Sequence, residues 1–97
     1  LRLMIVDDEQ IIREALSSMI DYTSLGYEVI ATAKNGMEAY DRIRDDYPDV
    51  VITDIKMPIL NGLELIERAS RIDSRITFIL LSGYGEFEYA KQAMKYG

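Results

Sequence analysis

The 97-residue sequence contains neither cysteine nor histidine. Their absence removes disulfides, thiolate and imidazole metal sites, cysteine nucleophiles and histidine bases. Any chemistry must run on carboxylates, hydroxyls, lysines and the backbone. Long apolar runs are lacking as well. The most extended, Ile76 to Leu81, is interrupted by Thr77 and is far too short to cross a bilayer, and no basic region followed by an apolar signal core opens the chain. A soluble, cytoplasmic protein without membrane contact is expected. Basic residues are the minority, 11 Lys and Arg against 17 Asp and Glu for a net charge of -6, and no basic stripe alternates with aromatics. Direct nucleic-acid binding by this segment is therefore not expected. With 48% hydrophobic residues the chain can bury one small core, so a single domain over residues 1–97 is expected. No internal repeat, low-complexity tract or linker interrupts it.

What is present is an alternation of two periods. Leu3 to Val6, Glu28 to Thr32, Val50 to Asp54 and Ile76 to Leu81 are short β-branched or aliphatic runs that predict strands. Between them the spacing turns helical. Ile11, Ile12, Ala15, Leu16, Met19 and Ile20 draw one apolar stripe along a first helix of about three turns, with Arg13, Glu14 and Ser18 expected outward. The second and third helices open with the same grammar, Asn35-Gly36-Met37-Glu38 and Asn61-Gly62-Leu63-Glu64. In each, Asn can cap exposed N–H groups and the Glu three residues on can reach back. A fourth helix is expected from Glu86 to Tyr96, stopped by Gly97. Strict alternation with short connections predicts an α/β fold, a parallel sheet with helices on both faces.

The run Ile76 to Leu81 has the composition of a strand buried on both faces, yet no further strand follows to cover its outer edge. One more strand and helix are expected to belong to the domain, and Leu1, not being an initiator residue, predicts trimming at the amino end.

In a doubly wound sheet, ligands sit beyond the carboxyl ends of the strands, where the strand order reverses. Asp7 and Asp8 end the first strand, Asp54 the third and Ser82 the fourth. If the first and third strands are neighbours, three acids distant in sequence meet at one rim, where like charges repel unless a cation or shared proton compensates them. Magnesium is the natural occupant, held by Asp8, Asp54 and the backbone carbonyl of Lys56, with Asp7 acting through water. The same ion would stabilise a phosphoryl group in transfer to Asp54, making that carboxylate a nucleophile.

These residues resemble the receiver domain of two-component response regulators. The resemblance rests on Ile5-Val6-Asp7-Asp8-Glu9, on Asp54-Ile55-Lys56-Met57-Pro58 with Asn61-Gly62, and on Leu81-Ser82-Gly83, and it covers the whole chain. It implies a flavodoxin-like doubly wound sheet of order 2-1-3-4-5, with the fifth strand and fifth helix, and the lysine that ends that strand, absent from this sequence. By resemblance Asp54 is the phosphoacceptor, Asp7 and Asp8 the acidic pair and Ser82 the switch hydroxyl, in a signalling domain that is not itself an enzyme of turnover. The implied partners are a sensor histidine kinase and an output domain in the same full-length chain. The stretch Ser82-Gly83-Tyr84-Gly85-Glu86-Phe87-Glu88-Tyr89-Ala90 is similar to receivers joined to an arabinose-regulator-type helix-turn-helix output. A homodimer through the fourth helix or the fourth-strand edge is a further expectation.

Plainer explanations compete with each feature. Asp7 and Asp8 could be ordinary acids at a helix start, and Ser82-Gly83 could simply open a turn. An aspartate-based phosphatase would need a second acid two residues past Asp54, where this chain has Lys56. A flavodoxin-like nucleotide binder would need a Gly, Ser or Thr-rich loop where Asp7-Asp8-Glu9 stands. A degenerate receiver serving only dimerisation is the remaining alternative; it predicts indifference to metal and phosphodonor.

Overall fold

Parallel pairing brings the four apolar runs into one sheet, ordered from edge to edge as the second, first, third and fourth strands of the chain, in the computed structural model, which describes residues 1–81. The strands are β1 (Arg2–Val6), β2 (Glu28–Ala33), β3 (Val50–Asp54) and β4 (Thr77–Leu81). Helices α1 (Gln10–Met19), α2 (Gly36–Asp46) and α3 (Gly62–Ile72) connect them, with a short 3-10 turn at Thr23–Leu25 between α1 and β2. The strands match the expected runs to within a residue at each end. Ser82, the expected helix over 86–96 and its stop at Gly97 lie outside the described residues.

Because side chains alternate along a strand, each strand serves two cores. On one face Met4, Val6 and Val51 pack with Ala39 and Ile43 of α2 and with Leu65 and Ala69 of α3. On the other, Leu3, Ile5, Val50 and Ile52 meet Tyr22 and the partly buried Leu16 of α1. Tyr22 closes that side by donating its hydroxyl to the Leu16 carbonyl at 2.6 Å, and its burial raises the phenol pKa. Helices on both faces of a parallel sheet make the fold doubly wound, as expected.

Both Asn-Gly starts behave as caps. The Asn35 carboxamide accepts from the Glu38 N–H at 2.8 Å. At α3 the box closes in both directions: Asn61 accepts from the Glu64 N–H at 2.9 Å, and Glu64 accepts from the Asn61 N–H at 3.0 Å. The glycines have a second reason to be there. A Cβ at Gly36 would stand 2.1 Å from the Leu60 carbonyl oxygen, and one at Gly62 would stand 2.3 Å from the Asp54 carbonyl oxygen. The loop from 55 to 61 is therefore wedged between the start of α2 and the end of its own strand.

One expectation needs correction. The apolar stripe of α1 does not turn inward as a whole: no residue of this helix is buried, Ile11 and Met19 are 78% and 81% exposed, and Arg13, expected outward, is partly buried. Six apolar positions cover about half the circumference at about 100° per residue. A single sheet face cannot cover so wide an arc, and the helix settles with Leu16 against the sheet. By contrast β4, whose composition suits burial on both faces, has the uncovered outer edge that was expected: it forms an edge of the sheet among the described residues and is the least buried strand.

Candidate functional site

Asp7 and Asp54 follow from the register of two neighbouring strands. Val6 of β1 lies beside Thr53 of β3, so both acids leave the sheet at the same rim. Asp7 is only 5% exposed. Its N–H donates to the Ala33 carbonyl at 3.1 Å, and its carbonyl accepts from Arg13 Nη1 at 2.7 Å. Its Oδ1 accepts from the Glu9 N–H at 2.9 Å. Asp8 is exposed and Asp54 half-buried, with Asp54 Oδ1 accepting from the Ile55 N–H at 2.7 Å. One carboxylate oxygen from each of Asp7, Asp8 and Asp54 lies within 4.8 Å of the other two.

Such crowding has an electrostatic cost. Burial, above all, raises the Asp7 carboxyl pKa; the Glu9 N–H pulls it down, and the charges of Asp8 and Glu9 push it up again. A cation would relieve the whole cluster. The donors are all hard carboxylate oxygens, with no thiolate or imidazole anywhere in the sequence, so the set fits a small divalent ion such as magnesium.

Beside the acids, Asp8, Lys56, Met57, Pro58 and Asn61 line an open depression. Lys56 is exposed on its wall. The chain turns sharply there: the Leu60 N–H donates to the Pro58 carbonyl at 2.8 Å, and Ile59 between them has φ 73° with its side chain 76% exposed. A β-branched residue in the left-handed region is strained.

The structure thus brings Asp7, Asp8 and Asp54 together and puts Lys56 at the edge of the same depression, while Ser82 lies outside the described residues. The sequence does not disclose what three further residues contribute. Arg13, assigned to solvent, holds the Asp7 carbonyl. Gly62 lets α3 start against the Asp54 carbonyl. Thr53, wholly buried, donates its hydroxyl to that same carbonyl at 2.9 Å. The available signal for Thr53 was its hydroxyl at the end of an otherwise apolar run.

Comparison with known proteins yields a consistent set of likenesses. The family model described as the response regulator receiver domain matches residues 3–97. A protein of Bacillus subtilis (strain 168) named "Uncharacterized transcriptional regulatory protein YesN" is 50% identical over 96 residues, covering 99% of this chain and 26% of its own length. Among solved structures, the REC domain of AraT, a response regulator from Geobacillus stearothermophilus, superposes with a TM-score of 0.93 at 36% identity, over 99% of this chain and 74% of that one. The two component transcriptional regulator AraC from Clostridium phytofermentans ISDg gives a TM-score of 0.90 at 35% identity, over 98% and 74%. The chain therefore spans about a quarter of the Bacillus subtilis relative and about three quarters of each solved domain.

Proposed function

The chain belongs to the response regulator receiver domain family, and from that membership we propose that it is a phosphorylation switch in which Asp54 accepts a phosphoryl group from a sensor histidine kinase. Receivers are signalling domains of two-component systems, and the relatives of this one are transcriptional regulators. The greater length of those relatives supports an output region in the same full-length protein, of the arabinose-regulator type that the neighbouring structures suggest.

The observation that carries the proposal is the meeting of three carboxylates at the carboxyl ends of two adjacent parallel strands. In the proposed reaction the Asp54 carboxylate attacks phosphorus, a P–O bond forms, and the P–N bond to the donor imidazole breaks, its electron pair staying with the imidazole. The Ile55 N–H orients the attacking carboxylate. Asp8, Asp54 and the Lys56 carbonyl would hold magnesium, with Asp7 acting through water. When bound, that ion supplies positive charge against the carboxylates and the phosphoryl oxygens. Ser82 is assigned the switch hydroxyl, turning toward the new phosphoryl group and shifting the population of the segment that follows it. The output region or a second protomer, reached through that segment or the β4 edge, reads the shift. Activity in the cytoplasm, with slow self-phosphorylation from small donors and slow self-dephosphorylation, completes the proposal. Among the described residues, no helix is long and apolar enough to cross a membrane.

The test is intact mass of the full-length protein after incubation with acetyl phosphate, with and without magnesium. A single phosphoryl gain that needs magnesium and disappears in Asp54→Ala is expected. Labelling that persists in Asp54→Ala, or none in a folded protein that binds magnesium, overturns the assignment; the second result leaves a phosphorylation-independent dimerisation module.

A further inference from the structure

We infer that the Thr53 hydroxyl is a positioning group for the Asp54 carboxylate, acting through the peptide plane between residues 54 and 55. The inference rests on Asp54 as the phosphoacceptor but is built from contacts that hold whatever Asp54 does.

Thr53 is 0% exposed, near the end of a strand whose preceding residues Val50, Val51 and Ile52 are all buried and apolar. Valine has nearly the same shape and would satisfy the strand with no polar group to bury. A hydroxyl there must find an acceptor. Its single proton has two within reach, the Asp54 carbonyl at 2.9 Å and Met57 Sδ at 4.0 Å. Oxygen at the shorter distance is the stronger acceptor, so the proton goes to the carbonyl.

That carbonyl is one end of a planar, rigid unit. The other end is the Ile55 N–H, which donates to Asp54 Oδ1 at 2.7 Å. Hydroxyl, peptide plane and carboxylate thus form one chain of contacts. A rotation of the plane that releases the hydroxyl also swings the N–H away from the carboxylate. Gly62 backs the plane from the α3 side, where any Cβ would stand 2.3 Å from the same carbonyl oxygen. The aim of a carboxylate that must attack in line is therefore set partly by a buried hydroxyl on the residue before it, and small errors in such an aim slow a displacement severely.

Two readouts on the full-length protein test this in Thr53→Val, which keeps the shape and loses the proton, and Thr53→Ser, which keeps the proton. The first is the amide signal of the Asp54–Ile55 step, selected by carbonyl-13C aspartate with 15N isoleucine and assigned by its loss in Ile55→Val; it is the only Asp-Ile step in the 97 residues. The second is the rate of labelling by acetyl phosphate. The expected result is an upfield move of the Ile55 amide proton in Thr53→Val and labelling about tenfold slower at saturating donor, the half-saturating concentration staying within about twofold. Thr53→Ser restores both. Unchanged signal in Thr53→Val, unchanged rate despite a moved signal, or a Ser variant as impaired as Val overturns the inference. If the wild type takes no label, the phosphoacceptor reading fails, and the amide signal alone decides whether the hydroxyl positions the carboxylate.

Discussion

On the face of the sheet that carries α2 and α3, the residues Ala39, Ile43, Leu65, Ile66 and Ala69 are buried, both helices are capped by asparagine side chains, and Arg68 Nη1 reaches Met37 Sδ at 3.9 Å between them. On the opposite face α1 contributes no buried residue, its N-cap Glu9 makes no side-chain cap bond, and Ile11 and Met19 stand mostly in solvent. The helices on the first face brace each other as well as the sheet. On its own side of the sheet, α1 has no helical neighbour among the described residues. An amphipathic pattern therefore shows that a helix has a face to bury; a second neighbour decides how much of that face is buried. The acid site sits where the two regimes meet, since the Asp54 carbonyl is backed by Gly62 of α3 and the Asp7 carbonyl is held by Arg13 of α1.

The contrast can be broken most directly at Leu65, which is fully buried in α3. Leu65→Ala is expected to cost about 3 kcal/mol in urea unfolding. A loss below about 1 kcal/mol would show that the α2 and α3 face is less tightly built than its burial implies. At the meeting point, Asp7→Asn should raise the stability of the metal-free protein by on the order of 1 kcal/mol. It removes a buried charge while keeping the oxygen that accepts from the Glu9 N–H. The sign follows from linkage: the folded state raises the Asp7 pKa, so protonation favours folding. The cost of Asp7 is fully present at neutral pH, shrinks as pH falls through the raised value, and is gone below the unfolded value of about 3.9. Wild type and Asp7→Asn should therefore converge in acid. Magnesium at a hundred times its Kd should stabilise the wild type by about 2.7 kcal/mol and the variant by less; equal stabilisation would remove Asp7 from the ion's surroundings.

Smaller effects refine the picture. Ile59→Gly relieves the left-handed backbone at a mostly exposed position, and a gain of about 0.5 to 1 kcal/mol is expected from the same unfolding curves. A loss would mean that the Ile59 side chain has packing that its exposure does not reveal. Met19→Ala, on the open side of α1, should change stability by less than about 0.5 kcal/mol. Its near-neutrality beside Leu65→Ala is the sharpest form of the comparison.

The pattern of what was legible follows the range of each interaction. Strand positions, both caps and the gathering of Asp7, Asp8 and Asp54 rest on local periodicity and on the rule that parallel strands end together, so they could be read from the chain. The orientation of α1 could not, because six apolar residues define an arc wider than the sheet needs. Gly36 read as half of a capping signal, whereas its close neighbour is Leu60, 24 positions away, and that proximity exists only after the 55–61 loop has folded back. Thr53 looks like one more residue of a strand, because an apolar run conceals a single hydroxyl. The acids were visible as chemistry; the groups that aim them were not.

The two Asn-Gly starts carry a further consequence, for the ageing of the molecule. Asn-Gly is the step at which a polypeptide deamidates most readily, since the glycine nitrogen can close on the asparagine side chain with no Cβ in the way. At Asn61-Gly62 the fold occupies both reactants: the Gly62 N–H is bound to the Ile55 carbonyl at 2.8 Å, and the Asn61 carboxamide is bound to the Glu64 N–H. The contacts that start α3 and back the Asp54 carbonyl thus also slow a chemical clock. At this step the clock runs only when the helix start opens, so the chemical ageing of Asn61 is tied to the local stability of the acid rim.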